Sequence, residues 1–149
     1  MGNIFDLNIS TINRNVKNSS GVYLILWYIN DKPKPINRFI KTDDMGIISI
    51  GSSDNLNRRL KQFIKGRETG SGHSSANRLW WYALEDENML GKMQLKFVFK
   101  YVDNYEEEES KLLIGYSDVF GELPPMNHQD AKNKYSELDP IVYPQGFIW

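Results

Sequence analysis

A chain of 149 residues has the length of one domain, or of one domain and a tail, and 40% hydrophobic with 13% aromatic residues provides the material for a core. Lys and Arg number 18 against 19 Asp and Glu, and this net charge of −1 excludes a globally basic nucleic-acid coat and a highly charged disordered chain, though not a local basic face. The sequence has no cysteine, which excludes disulfide scaffolds, thiolate zinc sites and cysteine nucleophiles.

Residues 1–20 are rich in Asn, Ser and Ile without a strong period, and read as an N-terminal lead-in with room for one helical turn. They carry no signal-peptide apolar core. The Ser/Thr slot of a myristoylation pattern beginning at Gly2 is filled by Asp6. Gly21–Ile29 is β-branched and aromatic, which suits a strand buried on both faces, and it is too short to span a bilayer. A cytoplasmic protein without a membrane partner is the expectation. Asn30–Asp44, with Pro33, Pro35 and several charges, reads as a long loop or hairpin excursion, and Gly46–Gly51 as a second strand able to pair directly with the first.

Asp54 is placed to cap a helix from Asn55 to about Lys65, with Leu56, Leu60, Phe63 and Ile64 as its apolar stripe. Gly66–Gly72 then reads as a loop. Ser74 or Ser75 is placed to cap a second helix carrying Leu79, Trp80, Trp81 and Tyr82, of which at least one aromatic belongs in the core. Leu95–Val102 predicts a third strand and Tyr105–Tyr116 a third helix, stopped by Gly121 and Pro124-Pro125. Residues 129–149, aromatic with two prolines, are expected to be a C-terminal tail packed on the domain. The sum is a small α+β domain over residues 21–128.

Charge placement points to chemistry. On the first helix Arg58, Lys61 and Lys65 face away from the stripe, while Arg59 lies on its shoulder, where an arginine stem covers apolar surface. On the third, Glu106, Glu107 and Glu108 suit the positive end of the helix dipole, but Glu109 sits at i−3, i−4 and i−7 from Leu112, Leu113 and Tyr116. A carboxylate on that face has to be paired, protonated or bound to a cation. Without cysteine and with only two histidines, a hard oxygen-liganded ion such as Mg²⁺ is the natural candidate. Between Asn55 and Arg78 stand six Lys/Arg and one acid, Glu68, whereas Asp103–Glu122 holds seven acids and only Lys111. A basic helix beside a metal-binding carboxylate describes a phosphodiester site; two unrelated solvated faces describe the same counts equally well.

Several segments then resemble one family. Gly21-Val22-Tyr23 and SIGSSDNLNRRL, Ser49 to Leu60, resemble the two signature elements of the GIY-YIG nuclease superfamily. GHSS at Gly72–Ser75 resembles a segment of its phage-type homing endonucleases, EESKLLIGY at Glu108–Tyr116 its metal-binding helix, and PPMN at Pro124–Asn127 its closing asparagine element. The resemblance implies a small three-stranded antiparallel sheet flanked by helices, and Mg²⁺- (or Mn²⁺-) dependent endonucleolytic hydrolysis of DNA. It implies that Tyr23 positions or deprotonates the attacking water, Arg59 stabilises charge on the phosphate, and Glu109 is the sole protein carboxylate on the metal. It also implies that His73 lies near the scissile phosphate and that Asn127 braces the site. Three departures accompany it. Ser49 replaces the tyrosine of the second element, the insert between the two elements is longer than usual, and Phe63 stands where homing-type members often carry another histidine. With Ser49, either Tyr23 suffices as base, His73 compensates, or catalysis is impaired and the domain serves as a nucleic-acid-binding or scaffold module. DNA is the expected partner, duplex or branched, with an RNA-directed enzyme left open.

Overall fold

The computed structural model describes residues 3–85 and 92–127. It is a mixed α+β domain whose main sheet is antiparallel. β1 is Phe5–Asp6, β2 Gly21–Ile29, β3 Lys32–Pro33, β4 Ile36–Asn37, β5 Thr42–Asp43, β6 Ile47–Ser53 and β7 Gln94–Tyr101. The helices are α1 Ile9–Asn15, α2 Leu56–Thr69, α3 Ser74–Glu85 and α4 Tyr105–Phe120.

β2 is central, as its unbroken apolar run requires. It pairs along its whole length with β7, from Gly21↔Tyr101 to Tyr28↔Gln94, and on its other side with β6, from Gly21↔Ser53 to Leu26↔Ile47. The sheet has five strands rather than the three expected, because the short strands β3 and β1 pair with β2 and β7. β3 folds back on the end of β2 through Asn30 and Asp31, whose φ values of 51° and 60° suit a tight two-residue hairpin turn. β1 pairs with the outer edge of β7 through Phe5↔Phe97. The N-terminal segment is thus more than a lead-in, because β1 joins the sheet and α1 places Ile12, 0% exposed, and Val16 in the core.

The sheet is covered on both faces. Tyr23, Ile25 and Phe97 meet Ile12 of α1, Leu56, Leu60 and Phe63 of α2, and Ala76 and Leu79 of α3. Leu26, Tyr28, Ile50 and Val98 meet Leu113 and Tyr116 of α4 on the opposite face. The cap of α2 is Asn55 rather than Asp54: its Oδ1 accepts from the Arg58 N–H at 3.0 Å, while Asp54 pairs with the Arg58 side chain at 2.6 Å. α2 also continues beyond Lys65. Gly66, expected in a loop, is kept helical by close packing, since a Cβ there would lie 2.9 Å from that of Ala76. The helix ends at Gly70, φ 75°, on which Trp80 packs, while Trp81 is exposed. α3 begins at Ser74, so neither Ser74 nor Ser75 stands in the cap position before it as expected. The preceding His73 takes that place, its carbonyl accepting from Asn77 N–H at 2.8 Å. α4 runs past Tyr116 to Phe120 and is terminated by Gly121, φ 81°. The expected tail, 129–149, lies outside the described residues, and no described helix is long and apolar enough to cross a membrane.

The excursion between β2 and β6 is anchored by a buried carboxylate. Asp43, 1% exposed, accepts from Met45 N–H at 2.9 Å, Ile47 N–H at 3.0 Å and the Tyr116 hydroxyl at 3.0 Å. Truncating it strands buried donors, so Asp43→Ala is expected to cost about 3 kcal/mol or more. A urea denaturation midpoint within error of wild type would contradict this anchoring role.

Candidate active site

The site lies where the end of β6, the start of α2 and the start of α3 meet on one face of the sheet, with α4 reaching the end of β6 from the other. Tyr23 stands opposite Gly51 in the β2–β6 ladder. Gly51 is the seat of the phenol, for a Cβ there would lie 2.4 Å from both Cζ and Oη of Tyr23. Only a residue without a side chain leaves that ring its place.

Tyr23 Oη and His73 Nε2 are 2.8 Å apart. Nδ1 of the same ring faces the Ala76 N–H at 3.5 Å, a contact that fits the neutral tautomer protonated at Nε2, in which His73 donates to Tyr23. The ring is fixed edge-on to Phe63, centroids 4.8 Å apart. Burial first, and then the Arg59 charge, depress the His73 pKa to about 3, so the neutral ring is the resting form. Burial pushes the Tyr23 phenol up to about 12; the Arg59 guanidinium opposes the rise and the Glu109 carboxylate adds to it. Tyr23 is therefore protonated at neutral pH until more positive charge arrives. Both Arg59 and Glu109 act on this one phenol, which brings the two opposite charges and the hydroxyl into a common electrostatic neighbourhood.

Arg59 is half-buried on α2, and Nη1 donates to Gln62 Oε1 at 3.3 Å. Glu109 is half-buried on α4, where its Oε2 accepts from the Ser52 hydroxyl at the end of β6. Neither enters a salt bridge among the described residues. Glu109 is thus not enclosed among leucines; it leans past the apolar face of α4 to the sheet end. Among the described residues no three His, Cys, Asp or Glu side chains cluster to cage a metal ion. A single carboxylate with a hydroxyl beside it instead suits an ion such as Mg²⁺, which keeps several waters and takes substrate phosphate oxygens as further ligands.

Ser49 bonds Ser75 rather than the phenol. It is 1% exposed and donates to Ser75 Oγ at 3.0 Å, which donates in turn to the Met126 carbonyl at 3.0 Å. This chain ties β6 to α3 and to the closing segment, so a phenol at position 49 would have to displace it. Asn127 continues the ladder on the free edge of β6, its Oδ1 accepting from Ile50 N–H and its Nδ2 donating to Ile50 carbonyl, each at 2.9 Å. Arg78 holds the Asn127 carbonyl at 3.2 Å. The sequence marks Ser52, Ser75 and Arg78 as no part of a site, Ser75 only as a candidate helix cap; Ser52 and Ser75 stand inside the quoted segments, but nothing marks their partners 57 and 51 residues away.

The chain matches no protein-family model, no curated protein and no solved structure.

The depressed His73 pKa has a consequence for stability. Folding holds the ring neutral below the 6.5 of an exposed histidine, so the unfolded chain binds the extra proton first. This contribution is present above about pH 6.5 and is lost as pH falls toward about 3, at up to about 1.4 kcal/mol per pH unit. The difference in unfolding free energy between wild type and His73→Gln is expected to change with that slope over this window. A difference independent of pH would contradict a buried neutral ring.

Proposed function

We propose that this chain is a divalent-metal-dependent endonuclease acting on nucleic-acid phosphodiester bonds, with DNA as the first substrate. The observation that carries the reading is the Tyr23–His73 hydrogen bond at the end of β6, with Arg59 and, from α4, the Ser52-bonded Glu109 both bearing on the charge of that phenol. The family resemblance of the sequence supports it.

Glu109 would hold the ion, with the Ser52 hydroxyl orienting its carboxylate. A bound Mg²⁺ supplies positive charge to the scissile phosphate and lowers the pKa of bound water. Arg59 meets a phosphate oxygen with a planar set of donors and stabilises the charge that grows there as water attacks phosphorus and the P–O bond to the leaving strand breaks. His73 donates through Nε2 to Tyr23, which both aims the phenol and stabilises its phenolate. The Arg59 charge already opposes the rise in the phenol's pKa; the positive charge of a bound ion would add to that opposition, so that the phenol would release its proton to solvent and the phenolate could then accept a proton from the attacking water.

Nicking of supercoiled plasmid by the purified chain with and without Mg²⁺ tests this, with a labelled RNA as a parallel substrate. Metal-dependent conversion to open circles is the expected result. Binding without nicking in Mg²⁺ or Mn²⁺ would favour a second reading, a non-catalytic nucleic-acid-binding module, for which the buried, fully engaged Ser49 in place of a phenol is the specific support.

A further inference from the structure

We infer that the outer face of α2, continued by the end of α1, is a track for a nucleic-acid backbone leading into the site. This rests on the phosphodiester reading of the site and adds where the substrate lies. α2 has two flanks with different work. Arg59 is turned toward Tyr23, whereas Asn57, Lys61 and Lys65, at i, i+4 and i+8, share one outer stripe about 12 Å long. With Arg58 and Gln62 they line a single open groove along the helix.

The stripe does not stop at the helix start. Asn57 Nδ2 donates to the Val16 carbonyl at 2.7 Å, which sets the exposed Lys17 beside it. Among the described residues none of Lys17, Lys61 and Lys65 enters an ion pair, in contrast to Arg58, which is taken by Asp54. The opposite sign gathers at the start of α4, where Asp103, Glu106 and Glu107 are exposed around a groove of their own. A polyanion is therefore drawn to the α2 side and repelled from the α4 side, so the field fixes from which direction the backbone enters. Lysines on a helix face contact phosphates as point charges and carry no base readout, so the track is indifferent to sequence.

The test is fluorescence anisotropy of a labelled duplex with the full chain in EDTA, titrated from low to moderate KCl. Lys61→Ala/Lys65→Ala is expected to weaken binding at low salt about tenfold and to flatten the plot of log Kd against log salt by about 1.8, the loss of two phosphate contacts. Lys32→Ala/Lys41→Ala removes the same charge from exposed positions elsewhere and is expected to leave both quantities within about twofold. Equal effects of the two double variants, an unchanged slope in the α2 variant, or no binding by wild type would each overturn the track. A labelled single-stranded RNA run in parallel separates the sources of the phosphate. A comparable loss on RNA assigns the track to backbone chemistry that both share, and a loss on duplex alone assigns it to DNA. Wild type that nicks plasmid while the α2 variant binds normally would discard the track and leave the site standing. A flattened slope without nicking by any form would discard the endonuclease and leave the track standing.

Discussion

Glu109→Ala is expected to lose metal-dependent cleavage by about a thousandfold or more while remaining folded. The carboxylate acts electrostatically on Tyr23, and no salt bridge among the described residues depends on it. Its partner is the Ser52 hydroxyl, itself half-buried at the sheet end and able to turn to water once the carboxylate is gone. Removing a partly desolvated charge also costs the fold little. Thermal unfolding of the variant should therefore match or exceed wild type. Wild-type nicking rates in purified Glu109→Ala would remove the metal from the mechanism, and a collapse of the melting transition would recast Glu109 as a structural residue.

The second large effect is at a position with no chemistry of its own. Gly51→Ala is expected to destabilise the chain by about 1–3 kcal/mol and to lower cleavage by at least tenfold. The added methyl would overlap the ring and oxygen of Tyr23, and neither neighbour has slack: the ring is 2% exposed, and His73, which holds its oxygen, is 4% exposed. The phenol must shift, and with it the 2.8 Å bond to Nε2. Equilibrium unfolding and plasmid nicking, measured on the same variant, separate the two consequences. If both equal wild type, the ring is not seated on Gly51 as described. Loss of stability with undiminished cleavage would show that the position of Tyr23 is irrelevant to the reaction.

The sequence carried the frame of the fold because the frame is written in local patterns. The unbroken run of β2 marks a strand covered on both faces, and the stripe of Leu56, Leu60 and Phe63 marks the buried side of α2. The same arithmetic singled out Arg59 from Arg58 and Glu109 from Glu106, Glu107 and Glu108; in the structure Arg59 and Glu109 are both half-buried, and both bear on the charge of Tyr23. What escaped was set by contacts across long stretches of chain. A two-residue strand such as β1 has no period of its own and exists because β7 offers it an edge. Gly66 reads as a loop residue by propensity, yet the close approach of Ala76 keeps it helical. The bond between Tyr23 and His73 joins residues 50 apart, and nothing in either segment marks the other as its partner. Ser49 is the clearest case: its substitution for a phenol was visible, but its role in fastening β6 to α3 and Met126 depends on Ser75, which only the fold brings near.

Soaking Mn²⁺ into crystals of the chain and locating it by anomalous scattering tests the central claim most directly. The expected result is a peak within coordination distance of the Glu109 carboxylate, on the side facing Arg59 and Tyr23, that vanishes in Glu109→Ala. A peak bound elsewhere, or no peak with the Glu109 carboxylate still accepting only from Ser52, would contradict it.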